Sequence, residues 1–244
     1  MNFQLFLSNI AKVWTNYWQV LLCEGLKVTL EFAAISVAIG VVLGTVVAFL
    51  KMSRFKPIRF LVSVYVEIIR GTPILLQLYI FVFALPQLIP IKLSKFMWTA
   101  VALSINSSAY VSEVIRSGIQ SVDPGQTEAA RSLGLSSSQT MSKIILPQAI
   151  KNILPALGNE FIMMIKETSL ASTFFIGDLM TSYRIISGAT FINLETLCIV
   201  GIIYLCLTYP LSKLVGVFEK RMSGDKGYKK RKKSASAALH TQKR

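Results

Sequence analysis

Residues Asp123 to Ser169 read DPGQTEAARSLGLSSSQTMSKIILPQAIKNILPALGNEFIMMIKETS. This polar, capped helical insert lies between two long apolar segments, and its reading decides the fold. Asp123 caps a helix whose first position is Pro124, and Gln126, at the third position, is placed to complete a reciprocal cap. Glu128, Ala129 and Ala130 fall in its early turns, and Gly134 is placed to end it in the left-handed conformation that glycine tolerates. Ser136 followed by Gln139 repeats the start signal. Two short helices joined at a glycine make a compact knob, suited to being gripped by another protein and unlike a catalytic site.

The surrounding chain is apolar. Of 244 residues, 53% are hydrophobic and the mean hydropathy is +0.56, which predicts a polytopic all-α membrane protein with about five spans of ~20 residues. In chain order these are roughly Leu26–Leu50, Leu61–Leu85, Phe96–Ile115, Leu154–Ile176 and Leu194–Val215. The first apolar run begins too far in, and lacks the small-residue cleavage site, to be a signal peptide.

Orientation follows from the loops, since short cytoplasmic connections carry the excess of Lys and Arg. Lys51, Arg54, Lys56 and Arg59 crowd the first connection, and Arg116, Arg131, Lys143 and Lys151 the third; the second has Lys92 and Lys95, and the fourth essentially Arg184. The alternation predicts an outside amino terminus, a cytoplasmic carboxyl terminus and a cytoplasmic insert at about 123–143. The segment 219–244 reads as a basic, disordered cytoplasmic tail. From Lys220 to Arg244, ten basic residues face one acidic residue, supplying +9 of the net +14. Such a run beside a bilayer meets acidic lipid and gains roughly 1 kcal/mol per charge, so membrane anchoring is favoured over nucleic acid. Residues 1–20, with Trp14, Tyr17 and Trp18 among polar positions, read as an amphipathic interfacial segment on the outer surface, and 21–218 as the transmembrane part.

Several chemistries drop out. Cys23, Cys198 and Cys206 lack metal-ligand spacing, and the single histidine, His240, lies in the tail. No phosphate-binding loop of the G-x-x-x-x-G-K-[ST] type is present. The expectation is therefore a chain with no catalytic residue, metal or cofactor of its own, driven by another subunit or an ion gradient.

The pattern EAARSLG (Glu128–Gly134) followed by ILPQAIKNILPALGNEF resembles the cytoplasmic signature of permease subunits of ATP-binding-cassette (ABC) importers. LKVTLEFAAISVAIGVVLG near Lys27, EIIRGTPILLQLYI from Glu67 and NSSAYVSEVIRSGIQSVDPGQ from Asn106 look like the polar amino-acid branch (histidine, glutamine and arginine type). The resemblance covers about Leu21 to Phe218. It implies the type I importer permease fold, and an assembly of two permease chains, identical or not, with two cytoplasmic ATPases that hold ATP and Mg. An extracytoplasmic amino-acid-binding protein feeds it, in a bacterial inner membrane. The insert becomes the coupling helix, with Glu128, Ala129, Ala130 and Gly134 as ATPase-coupling residues: the alanines permit close approach and Glu128 pairs with the partner.

Polar groups inside spans are expensive and point to a site or to mutual pairing. Arg70, Asn106, Tyr110, Glu160 and Glu167 reach similar depth, and positions 160, 163, 164 and 167 share one helical face, giving a stripe of Glu160, Met163, Met164 and Glu167. The resemblance supports Asn106, Tyr110, Glu160 and Glu167 as substrate-binding positions. Glu167 is a departure, since relatives often have Asp there. The constellation suits a zwitterion: Arg70, or donors near Gly71, for the carboxylate, and Glu160 and Glu167 for an amino group or cationic side chain. Arg70 pairing with either glutamate to hold spans together is the structural alternative. Pro73 is placed to open the second span, Pro147 and Pro155 to turn the chain into the fourth, and Gly40 with Gly44 to let helices cross closely. The function expected is an importer permease for cationic or glutamine-like amino acids. A stand-alone secondary transporter is set aside for want of more spans and internal repeats, and a membrane scaffold because it needs no polar residues at mid-depth.

Overall fold

The computed structural model describes the backbone of residues 3–241 and the side chains of residues 3–222. The described chain is helical, and it divides into two compact units, Met1–Ser112 with Glu160–Tyr209, and Glu113–Asn159 with Pro210–Arg244.

In the first unit, α1 (Phe3–Gln19) continues through a π-helical turn (Val20–Leu26) into α2 (Lys27–Lys51). The expected interfacial segment is thus not separate: it forms one end of a 49-residue helix that spans about 74 Å at ~1.5 Å per residue, well beyond a ~30 Å hydrocarbon core. Trp14 and Trp18 are exposed, but Val13 and Leu21 are fully buried in a core with Leu179, Ile186, Ile199, Val200 and Ile203. Three of these residues belong to α11 (Asn193–Thr241) and two to α10 (Leu179–Thr190), a helix that the periodicity did not predict. Asp178 caps α10, accepting from the Met180 amide at 3.0 Å and from the Thr181 hydroxyl. The Thr29 hydroxyl accepts from the Leu179 amide at 3.0 Å and donates to the Gly25 carbonyl at 2.9 Å, tying α10 to the π turn.

The second span is not one helix. α3 (Lys56–Gly71) stops at Gly71, and Pro73 starts a new helical run, α4 (Ile74–Tyr79), a π turn (Ile80–Ala84) and α5 (Leu85–Leu88), bent by 105° from α3. The residue before a proline is pushed out of the helical region, and Thr72 is extended (φ −113°, ψ 146°). α6 (Lys95–Gln120) has 26 residues and α9 (Leu146–Glu167) has 22, about 39 and 33 Å at ~1.5 Å per residue, enough to cross the core. By length and composition, among the described residues, only Phe3–Lys51 and Asn193–Met222 stand out as spans, or three with the bent pair. α6 and α9 are less apolar because they carry many polar residues, those of the site among them. The fourth span also starts earlier than expected and ends at Glu167, followed by a 3-10 segment (Thr168–Phe174). Pro155 therefore lies inside α9 and does not turn the chain. α11 runs through most of the basic tail. The side chains of residues 223–241, and residues 242–244 altogether, lie outside the described residues, and the expectation of a disordered tail falls largely there.

α2 packs on α6 through its glycines. A Cβ on Gly40 would sit 2.6 Å from the Ser107 hydroxyl, and one on Gly44 would sit 2.7 Å from the Ser108 carbonyl and 2.8 Å from Val111, so the G-x-x-x-G spacing serves close crossing. Gly44→Val should overpack this contact by about 1–3 kcal/mol and lower the thermal midpoint of the purified protein in detergent. Gly201, with open space around its Cα, should tolerate Ala without loss, and equal midpoints for both variants would refute the assignment.

Candidate functional site

In the first unit a cavity of about 230 Å³ is lined by Thr72, Pro73 and Ile74 at the broken span, Asn106 and Tyr110 on α6, and Glu160, Met163, Met164 and Glu167 on α9. Drug-sized pockets run to ~300–1,000 Å³, so this one fits a single small metabolite. Four of the five substrate positions read from the sequence, Asn106, Tyr110, Glu160 and Glu167, meet in one wall, and the whole 160/163/164/167 stripe faces the same space. The fifth does not: Arg70 is absent from the lining, and its guanidinium lies 5.4 Å from the centre of the Tyr110 ring, within cation–π range. Arg70 lies on α3 one residue before that helix ends at Gly71.

The lining contains two carboxylates and no basic side chain. Glu160 is buried, 6% exposed, and its Oε1 accepts from the Ser107 hydroxyl at 3.1 Å. Asn106, also buried, donates from Nδ2 to Gln77 Oε1 at 3.0 Å. Gln77 is 5% exposed, and its Nε2 reaches the Ile69 carbonyl at 2.7 Å, the Thr72 hydroxyl at 2.9 Å and the Thr72 carbonyl at 3.1 Å. The sequence reading missed Gln77, Ser107 and Thr72. A signal for Gln77 existed: it is a lone amide in the apolar run ILLQLYIFVF, the situation that singled out the other polar groups. Among the described residues no group of three or more His, Cys, Asp or Glu could hold a metal ion.

The insert belongs to the second unit. Asp123 caps α7 (Pro124–Ser132) by accepting from the Gly125 amide at 2.7 Å. Gln126 does not complete a reciprocal cap; its side-chain oxygen instead accepts from Gln148 Nε2 at 3.4 Å. At the other end Gly134 is left-handed (φ 84°), and the Leu135 and Gly134 amides donate to the Ala130 and Arg131 carbonyls at 3.1 and 3.0 Å, the double closure of a Schellman turn. α8 (Ser137–Thr140) begins with a complete Ser136–Gln139 capping box. Glu128, Ala129 and Gly134 are exposed, whereas Ala130 is buried. Ala130 therefore packs within its own unit and is not available to a partner, a correction to the reading of both alanines as contact residues. Leu133, 81% exposed beside Gly134, is an outward-facing apolar group which that reading overlooked.

Known proteins agree with this architecture. The arginine transport system permease protein of Bacillus subtilis (strain 168) is 41% identical over 202 residues, covering 83% of this chain and 92% of that one. A probable glutamine ABC transporter permease protein of the same organism is 41% identical over 214 residues, 88% of this chain and 98% of that one. Among solved structures, the crystal structure of an amino acid ABC transporter with histidines superposes with a TM-score of 0.82 at 46% identity, over 88% of this chain and 98% of that chain. With residues 40–224 matching the family itself, the chain belongs to the binding-protein-dependent transport system inner membrane components, the permease subunits that work with a binding protein and an ATPase in ABC importers.

Proposed function

We propose that this chain is the membrane-spanning permease of an ATP-driven importer that moves polar amino acids, cationic or glutamine-like, into the cytoplasm of a bacterium. The observation that carries the reading is the cavity with Glu160, Glu167, Asn106 and Tyr110 in its lining. Two carboxylates facing one small space attract an ammonium or guanidinium group, and the amide and phenol supply orienting hydrogen bonds. Relatives named for arginine and glutamine transport support the same class. Tyr110, braced by Arg70, takes the role first considered for Arg70 itself.

The knob is the ATPase-docking element. Its exposed Glu128, Ala129, Leu133 and Gly134 form the contact face, and the closures at both ends of α7 keep it rigid enough to transmit a push. Closure of an ATPase pair on ATP moves such a knob, and the helices attached to it change access to the cavity. The chain itself holds no cofactor, and ATP and Mg stay with the ATPase. Five spans supply half a pathway, so a second permease, identical or homologous, completes it. The loop charges put the amino terminus outside and the carboxyl terminus in the cytoplasm.

Co-purification from the native membrane tests the docking: an ATPase subunit with a phosphate-binding loop should accompany the tagged chain, and Glu128→Lys should release it. An ATPase that stays bound to that variant would remove Glu128 from the interface. Glu167→Gln should leave docking intact while lowering uptake efficiency about ten- to hundredfold, the ~1.5–3 kcal/mol of a hydrogen bond to a charged group. Uptake kinetics equal to wild type would take Glu167 out of the site.

A further inference from the structure

The orientation of an amide side chain is ordinarily ambiguous, because its oxygen and nitrogen look alike. Around Gln77 it is fixed by groups that have only one possible role. The Ile69 and Thr72 carbonyls can only accept, and the Thr72 hydroxyl spends its proton on the Ile68 carbonyl at 2.8 Å, so it too accepts. All three meet the same end of Gln77, which must therefore be the nitrogen. The oxygen is left for Asn106, and Asn106 must turn its own nitrogen toward it. The chain of assignments runs from backbone to Gln77 to Asn106, and it ends at the cavity wall.

We propose that Gln77 is a specificity-determining positioning residue: by taking one N–H of Asn106 Nδ2 it fixes the orientation of the amide and leaves Asn106 Oδ1 to accept from a ligand beside Glu160 and Glu167. With Asn106 accepting beside two carboxylates, the wall favours ligands whose side chains end in N–H donors over those that present an acceptor in their place. If Asn106 could turn freely, the same residue would donate to a carbonyl and blur the distinction. Gln77 is absent from the cavity lining and acts only through its neighbour. The inference rests on the cavity's being the substrate site.

Arginine and citrulline test it, since they differ mainly in replacing a guanidinium by a neutral ureido group with an acceptor oxygen. Their dissociation constants are measured by equilibrium dialysis on the detergent-purified permease–ATPase complex without the binding protein. Wild type should prefer arginine. Gln77→Met, unable to hold Asn106, should shrink the arginine-to-citrulline ratio about three- to tenfold, the range of one neutral hydrogen bond. Gln77→Glu keeps an oxygen for Asn106 but faces the two carbonyls with another acceptor. It should lower the thermal midpoint, but with Asn106 still held and a further carboxylate nearby, the arginine-to-citrulline ratio should stay at or above that of wild type.

A purely structural role predicts that both variants weaken both ligands in parallel, and that result overturns the proposal. Should Gln77→Met not fold, Asn106→Leu decides by sign. Loss of a cavity-facing acceptor costs arginine more than citrulline, and the reverse order overturns the assignment. A wild-type complex that binds neither ligand would instead dismiss the cavity as the substrate site, an outcome distinct from normal binding with an unmoved ratio.

Discussion

Inside hydrocarbon every backbone N–H and C=O must find a partner, because an unpaired one costs several kcal/mol. The break at Gly71–Pro73 is where this chain meets that constraint most severely, since a helix that stops leaves its last four carbonyls open. Thr72 closes the Ile68 carbonyl with its hydroxyl, and Gln77 closes the Ile69 carbonyl from the helix beyond. The bend is thus held by side chains from both of its arms. Thr72, Pro73 and Ile74, the residues freed by the break, are the ones that line the cavity. Without Gln77 the Ile69 carbonyl would lose its side-chain donor, and the corner would be less stable.

The same constraint explains why α6 and α9 are poor spans by hydropathy and good ones by structure. Ser104, Asn106, Ser107, Ser108 and Ser112 are buried on α6; Asn106 and Ser107 pair with Gln77 and Glu160 on other helices, and the other three are absorbed locally. Ser104, Ser108 and Ser112 donate to carbonyls three or four residues earlier, and the Ser108 hydroxyl also meets Tyr65 of α3 at 2.7 Å. Small hydroxyl residues have a second use here, because they let Gly40 and Gly44 of α2 approach the helix closely. The polar character that hides α6 from a composition test is what permits its packing.

This is also why the sequence was legible in some places and opaque in others. The knob could be read almost to the residue, since caps and the left-handed Gly134 are short-range chemistry written into neighbouring positions. The stripe of Glu160, Met163, Met164 and Glu167 was legible for the same reason, helical period on a single helix. Arg70 was misplaced because depth along a helix does not say which way a side chain turns, and its guanidinium lies by the Tyr110 ring outside the lining. Gln77 was passed over because its partners, Ile69, Thr72 and Asn106, come together only once that bend is made. α10 went unpredicted because what holds it is distant in sequence: Thr29 reaches across 150 positions to its first turn.

On the proposed function, Glu160 links the energetics of the cavity to its selectivity. A carboxylate offers about four acceptor positions, and Ser107 occupies one. A buried charge with few partners is costly, and it is repaid when opposite charge and donors arrive. On the proposed function, a ligand that brings N–H donors to Glu160 and Glu167 gains charge-assisted hydrogen bonds there, and a group that can only accept gains none. The acceptor set by Gln77 adds to that asymmetry. On the proposed function, preference in this cavity follows from the two carboxylates in its lining, and its volume of about 230 Å³ sets the size limit.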